Sequence, residues 1–472
     1  MKPDGTMADI RGASPSVGNI SDTRQLQSLV AARLDGLPLT RWHRRVLAVV
    51  GLGSFFNFFE VALSSLLIPL LPVDWAATTT GKSLLISATF AGELLGAVAL
   101  SGLADRIGRR RMFQINLVAY AALSVAAACA QGPTHLIVLR FLLGIGLGAE
   151  LALVDTYLTE LMPAARRGRM LATAYGLGML AVPAAGVLAA RLPHTMLGAS
   201  SWRWLMTLAG AGALVVYLLR RNLPESPRWL ATHKPQQALA AMDRIEETAG
   251  LPVTGTFTAA PALGLGREEA CERSGRPKLW SPVLRRRTLL VCLMETLGPV
   301  GFYGFASIAP LVLLHKGFTV VDSLTYSAMT AIGYPLGCYV LMHLAERIQR
   351  RTLVIVSSLL VAVAGTIFGI GTSVWVIVPA GLLTTLMSVI NATVSRTYGA
   401  ELFPTEVRNT ALGRTYSLSR LVAAILPFCT LPVLDTLGAG PVYLSCACII
   451  ALMALAVAML GPRTNAVALE GI

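Results

Sequence analysis

Gly102-Leu-Ala-Asp-Arg-Ile-Gly-Arg-Arg-Arg111 is a charged decapeptide that leaves one apolar run and at once enters another. The flanking runs, residues 83–104 and 112–131, each come near the roughly 20 residues that a helix needs to cross about 30 Å of hydrocarbon. The decapeptide therefore reads as a hinge between two membrane helices. It has an echo in Leu344-Ala-Glu-Arg-Ile-Gln-Arg-Arg351, where aligning Asp105 with Glu346 gives an offset of 346 − 105 = 241 residues.

Composition points the same way. The 472-residue chain is 54% hydrophobic and 14% charged, with a mean hydropathy of +0.64, against roughly 25% charged residues in a soluble domain. Six of its seven cysteines lie in apolar runs and Cys271 lies in a polar loop, so neither a disulfide framework nor a metal site is suggested. The formal charge of +14 could indicate nucleic acid, but the basic residues gather in alternate loops, as the positive-inside bias requires, and no nucleic-acid partner is expected.

Twelve apolar spans follow from the hinge outward: 46–71, 83–104, 112–131, 134–157, 168–190 and 202–221, then 287–313, 321–345, 352–371, 374–397, 410–434 and 440–461. The expected fold is an all-α membrane protein of two pseudo-symmetric six-helix bundles, residues 46–221 and 287–461. Residues 1–45 form a polar tail with no cleavable leader, in which Arg24 to Leu37 is expected to make a short amphipathic helix. Residues 222–286 are a linker with one or two surface helices, and 462–472 a second tail. Arg41, Arg44, Arg45, Arg106 to Arg111 and Arg347 to Arg351 share one side, whereas Gln131 to Thr134 and Gly371 to Ser373 lack Lys and Arg. Both termini are thus expected in the cytoplasm, with the spans in the lipid bilayer.

The same offset pairs Tyr157 with Tyr398, Glu160 with Glu401, Pro163 with Pro404, Arg167 with Arg408 and Tyr175 with Tyr416. One shift fitting separate loops without a gap argues for a duplicated six-helix unit, the architecture of alternating-access carriers.

These motifs carry a resemblance. Gly102-x-Leu-Ala-Asp105-Arg106-x-Gly108-Arg109-Arg110 resembles the signature loop between helices two and three of the major facilitator superfamily, and Leu344-Ala-Glu346-Arg347 its degenerate copy, with Gln349 in place of the second glycine. Arg140-Phe-Leu-Leu-Gly144-Ile-Gly146-Leu-Gly148, Tyr157-Leu-Thr-Glu160-Leu-Met-Pro163 with Arg167-Gly168, and Pro224-Glu225-Ser226-Pro227-Arg228 are similar to the sugar-porter and organic-ion branch. Arg33-Leu34-Asp35-x-Leu37-Pro38-Leu39-x-x-Trp42-His43, with Glu150 and Phe302-x-Gly304, look most like bacterial proton symporters of aromatic and other small carboxylic acids, the nicotinate transporters among them. The resemblance implies secondary active transport of a small-molecule substrate with protons by a monomer in the bacterial inner (plasma) membrane, with no enzyme activity and no cofactor. A sugar or organic-cation transporter and a proton-driven exporter are the alternatives. Helix five keeps Pro183 but has Val182 and Val187 where drug antiporters carry glycine, which favours uptake.

Site residues fall into three groups. For the gate, Gly102 and Gly108 permit a tight turn, and Asp105, Arg106, Arg109, Arg110, Glu346, Arg347 and Arg350 supply charges on the hinge face. Glu160 with Arg167, and Glu401 with Arg408, are expected to complete ion-pair networks there; Asp155 and Arg396, at equivalent places, belong to the inner gate. For the proton, Glu60, Glu93, Arg140 and Glu150 lie inside spans, where an ionisable group costs a few kcal/mol or more unless paired; Glu60 inherits the proton-handling acid of helix one that the resemblance implies, with Arg140 as its partner. For the substrate, Arg420 lies about 15 Å into helix eleven, where its fork suits a carboxylate. Asn57, Phe302, Tyr303, Tyr334 and Asn391 are the other expected contacts.

Overall fold

The computed structural model describes residues 23–163, 166–192, 195–196, 198–221, 223–248, 250, 279–282, 284–344, 347–403 and 405–462. Its helices are α1 (Thr23–Gly36), α2 (Arg41–Leu66), α3 (Thr79–Ile107), α4 (Arg109–Ala128), α5 (Pro133–Leu161), α6 (Arg167–Met179), α7 (Ala181–Arg191), α8 (Ser201–Arg220), α9 (Pro227–His233) and α10 (Pro235–Thr248). The second half holds α11 (Arg285–Ala306), α12 (Ala309–His315), α13 (Val320–Ala331), α14 (Gly333–Leu344), α15 (Arg350–Ile370), α16 (Val374–Glu401), α17 (Thr405–Leu437) and α18 (Ala439–Leu460). Eleven of the described helical stretches are long and apolar enough to cross a membrane. A further span, the eighth expected, is made of α13 and α14 with only Ile332 between them.

Three spans read as continuous apolar runs are broken, and one cause accounts for all three. Proline lacks an N–H and its ring crowds the carbonyl four residues earlier. Pro183, Pro310 and Pro335 each lie four residues beyond the last residue of a helix, Met179, Ala306 and Ala331 respectively. Pro299, Pro379, Pro427 and Pro432 sit inside helices that stay unbroken.

Glycines set how closely the helices approach. A Cβ added at Gly92, Gly96, Gly144 or Gly148 would run into the backbone of the facing helix, so α3 and α5 lie backbone to backbone. The second half repeats the device, since a Cβ at Gly333 or Gly337 of α14 would meet α16. The positions match through 333 − 92 = 241 and 337 − 96 = 241. The duplication is thus visible in packing as well as in loops.

On the face that carries the linker, α1 lies against α9 and α10. Its apolar stripe of Leu26, Val30 and Leu34 is buried with Trp229, Met242 and Ile245. Arg33 forks onto Glu246 (2.7 and 3.0 Å) and reaches Asp243 at 2.8 Å. Glu246 is buried at 1% exposure, and losing its partner would leave an uncompensated carboxylate at a cost of about 3 kcal/mol. Arg33→Ala is therefore expected to undock α1, read as faster limited proteolysis around residues 23–36 while the spans stay protected. Cleavage at the wild-type rate would contradict that anchoring.

Candidate functional site

The buried charges cluster where the two halves meet. Glu93 on α3 and Arg420 on α17 come from opposite halves, yet Arg420 Nη1 lies 2.6 Å from Glu93 Oε2, with side-chain exposures of 5% and 1%. Neither Glu93 oxygen has a well-angled hydrogen bond, so the contact is a charge contact that is short but poorly aligned. Arg420 also donates to the Tyr303 hydroxyl at 2.5 Å and to the Tyr416 hydroxyl. Both tyrosine rings sit beneath its guanidinium, 5.6 and 5.0 Å away.

Two further ion pairs lie within the first half. Arg140 Nη1 is 3.5 Å from Glu60 Oε1, and the arginine donates to Ser64 (2.7 Å) and Thr89 (3.1 Å). Its charge also reaches Glu93. Glu150 does not open onto this cluster: Arg220, the last residue of α8, holds it at 3.3 Å, with Asn57 alongside. Asn57 donates to the Leu147 carbonyl as well, at 3.3 Å. Glu150→Gln is expected to lower unfolding stability by about 3 kcal/mol because it strands a buried guanidinium. A variant as stable as wild type would show that Arg220 does not depend on this carboxylate.

Two cavities flank Arg420, each with about 70 Å³ of space for the centre of a water molecule. Arg420, Tyr303, Phe302 and Phe58 line both and so divide them. The first cavity adds Tyr334, whose ring packs on Phe302 at 5.2 Å, together with Ser327; the Tyr334 and Ser327 hydroxyls lack hydrogen-bond partners among the described residues. The second cavity lies toward the linker face and contains Asn391, Glu295, Arg396 and Tyr416. Asn391 is already engaged, donating to Ser357, Ser358 and the Val354 carbonyl at 2.8 to 3.2 Å, so it holds α16 to α15.

Away from the linker face, Thr79 bonds to Asp435 across the halves, Ser83 donates to the Pro427 carbonyl at 3.1 Å, and Gly186 packs on Ala328. At the linker face the contact between halves is looser, Asp155 to Arg396 at 4.0 Å with exposures of 54% and 40%. The other gate residues form two equivalent pairs, Arg109 with Glu160 at 3.2 Å and Arg350 with Glu401 at 3.3 Å. The expected partner of Glu160 was Arg167, but the start of α4 packs beside the end of α5 and brings Arg109 nearer. Arg167, beyond the turn at Met162–Pro163, instead reaches Asp35 at 2.9 Å, which Arg228 shares at 2.7 Å.

Gly108 adopts a left-handed φ of 103°, and Glu225 accepts the Arg110 N–H at 3.1 Å. Burial pushes the Glu225 carboxyl above its ordinary range, opposed by these backbone bonds. Arg110 also donates to the Arg221 carbonyl at 2.6 Å. Arg106 and Arg347 are exposed. Gly102 lies within α3, whereas the side chains of Asp105 and Arg408, and the whole of Glu346, lie outside the described residues.

The sequence profile of the Major Facilitator Superfamily matches residues 50–427. The chain belongs to the Major Facilitator Superfamily. It is 28% identical over 448 residues to the niacin transporter NiaP of Acinetobacter baylyi, covering 94% of this chain and 99% of that one. To the putative metabolite transport protein YyaJ of Bacillus subtilis it is 29% identical over 395 residues, 83% of this chain and 86% of the other. Among solved structures it superimposes on the partially occluded inward-open xylose transporter XylE of Escherichia coli with a TM-score of 0.71, at 19% identity, covering 90% of this chain and 99% of XylE. That likeness concerns the fold. As a member of this superfamily the protein is a multi-pass membrane transporter of small molecules and not an enzyme.

Several site residues of this superfamily member were not singled out from sequence. Arg220 stands at the edge of an apolar span, where a charge reads as a loop residue. Glu295 was a missed signal, an acid inside the span 287–313; it means that the intramembrane acids are not confined to the first half. Ser64 and Thr89 carry no pattern of their own, and Asp35, though part of the Arg33–His43 motif, gave no sign of its partners Arg167 and Arg228.

Proposed function

We propose that the protein imports a small organic anion, an aromatic or similar carboxylate, together with a proton by alternating access, with the linker face in the cytoplasm. The contact between Glu93 and Arg420 carries this reading, because it joins the two halves through the arginine that lines both cavities. With the site empty, the carboxylate of Glu93 neutralises Arg420. A substrate carboxylate arriving at Arg420 would face an ionised Glu93, and two unit charges about 4 Å apart repel by about 4 kcal/mol at the effective dielectric of such sites. Protonation of Glu93 removes that repulsion and frees the guanidinium fork, so anion and proton bind as a pair. Glu60 keeps Arg140 in place beside Glu93 and sets the field that the proton meets. Phe58, Phe302 and Tyr334 offer flat apolar walls to an aromatic ring, and the spare hydroxyls of Tyr334 and Ser327 can meet its polar substituents.

The niacin carried by the A. baylyi relative, a pyridine carboxylic acid, fits this description and is the first compound to try. The test is counterflow of labelled niacin in proteoliposomes, challenged with unlabelled benzoate, xylose and tetraethylammonium. Competition by the carboxylate, with the sugar and the cation inert, is the expected result. Competition by xylose or tetraethylammonium but not by benzoate would replace the organic-anion reading with a sugar or cation carrier.

A further inference from the structure

The geometry points to a second anion station on the linker side of Arg420, built on Arg396, where a small aromatic carboxylate pauses before release. The inference rests on the reading of the chain as an organic-anion carrier. Arg396, Ser395, Tyr175, Tyr416 and Glu295 line the linker-side cavity together with Arg420. The Arg396 guanidinium carbon lies 5.7 Å from the Tyr175 ring and 5.3 Å from the Tyr416 ring, so the cation sits between two aromatic faces. Its acidic partner, Asp155, is at 4.0 Å, beyond hydrogen-bonding distance. The fork therefore has donors to spare. Next to it the Ser395 hydroxyl, in a residue only 8% exposed, has no hydrogen-bond partner among the described residues.

The duplication explains why these groups converge. Residues related by a two-fold axis meet when they lie near it, and both 396 − 155 = 241 and 416 − 175 = 241. Asp155 and Arg396 thus face each other across the axis with the two tyrosines around them. Because one copy is an acid and the other a base, the axis offers a cation from the second half alone. Tyr416 stands between the stations, its ring 5.0 Å from Arg420 and 5.3 Å from Arg396. The Tyr416 ring thus holds the two guanidiniums near each other, and a carboxylate can pass from one to the next.

The carboxylates that face the station, Asp155 and Glu295, limit how tightly it holds an anion. Glu295 lies within electrostatic reach of both arginines and has no ion-pair partner at contact distance among the described residues. The incoming carboxylate competes with Asp155 for Arg396, so occupancy loosens the contact between the halves. A weak site that opens the face it adjoins suits release, whereas a tight one would retain the cargo.

The test compares equilibrium binding of labelled niacin by the purified full-length protein with niacin exchange in proteoliposomes. Arg396→Met is expected to keep affinity within about threefold, because Arg420 remains, while exchange slows by about tenfold or more, 1.4 kcal/mol at the transit step. Arg396→Lys, which keeps the charge without the fork, falls between and serves as the readout if the Met variant does not fold. The exchanged pair Asp155→Arg with Arg396→Asp rebuilds the ion pair and moves the cation to the other half; exchange is expected to stay as slow as in Arg396→Met. Recovery in the exchanged pair would make the residues a latch and overturn the station. So would wild-type exchange in Arg396→Met, or a loss of binding as complete as in Arg420→Met. Wild-type protein that neither binds nor exchanges niacin would bring down the niacin reading and the station together, whereas the preceding outcomes leave that reading standing.

Discussion

Arg420→Met is expected to abolish niacin uptake, with a fall in transport efficiency of about a thousandfold. The residue is 4% exposed and its side chain holds three groups at once, Glu93, Tyr303 and Tyr416. Removing one partner of a buried, hydrogen-bonded charge pair costs about 2 to 5 kcal/mol, and 4 kcal/mol corresponds to about a thousandfold. Methionine fills the volume but leaves Glu93 buried beside no cation of its own, which favours its neutral form and removes the anchor for the substrate. Arg420→Lys separates charge from shape. A lysine is a point charge that cannot span Tyr303, Tyr416 and a carboxylate in one plane, so affinity is expected to drop by about tenfold or more even though the charge stays. Unchanged affinity in the lysine variant would show that Arg420 does not bind the carboxylate as a fork.

Glu93→Gln is expected to uncouple transport without blocking it. Glutamine has nearly the shape of protonated glutamate, so the variant imitates the proton-loaded form at every pH. Niacin counterflow then persists and loses its dependence on pH. Accumulation against a gradient disappears, whereas in the wild type each coupled proton supports about tenfold accumulation per unit of pH difference. The sign for the wild type follows from the site: lowering the external pH protonates Glu93, frees Arg420 and strengthens anion binding. Glu93→Gln also leaves Arg420 unpaired until an anion arrives, so niacin is expected to raise the melting temperature of the variant more than that of the wild type. A variant that still accumulates niacin with the pH gradient would move the coupling proton to another acid.

The hinge at Gly102 to Arg111 and its echo were enough to read two six-helix halves, because a duplication leaves the same residues at the same offset wherever loops are constrained. The structure extends the match to Gly92 with Gly333 and to Arg109–Glu160 with Arg350–Glu401. The spans break ahead of Pro183, Pro310 and Pro335, yet Pro299, Pro379, Pro427 and Pro432 lie in unbroken helices, so a proline in an apolar run does not by itself mark an interruption. Arg420 and Glu93 stood out singly as charges deep in spans. Their contact did not, since depth along a helix is linear in sequence whereas rotation and the meeting of the two halves depend on packing. Glu150 illustrates the same limit: its partner Arg220 lies at the end of α8 and reaches it past α2, where Gly53 leaves room for the guanidinium. The exchange of Arg167 for Arg109 beside Glu160 turns on which helix end packs nearer, and no residue type signals that.

The central claim, that anion and proton bind as a pair through Arg420 and Glu93, is most directly tested by the pH inside proteoliposomes loaded with a pH-sensitive dye. With equal pH on both sides, niacin is added outside while labelled niacin reports entry, and protein-free vesicles set the baseline for the undissociated acid. The lumen is expected to acidify above that baseline with wild-type protein, and to stay at baseline with Glu93→Gln although the label still enters. Label entry through the wild-type protein without acidification would contradict the pairing of anion with proton.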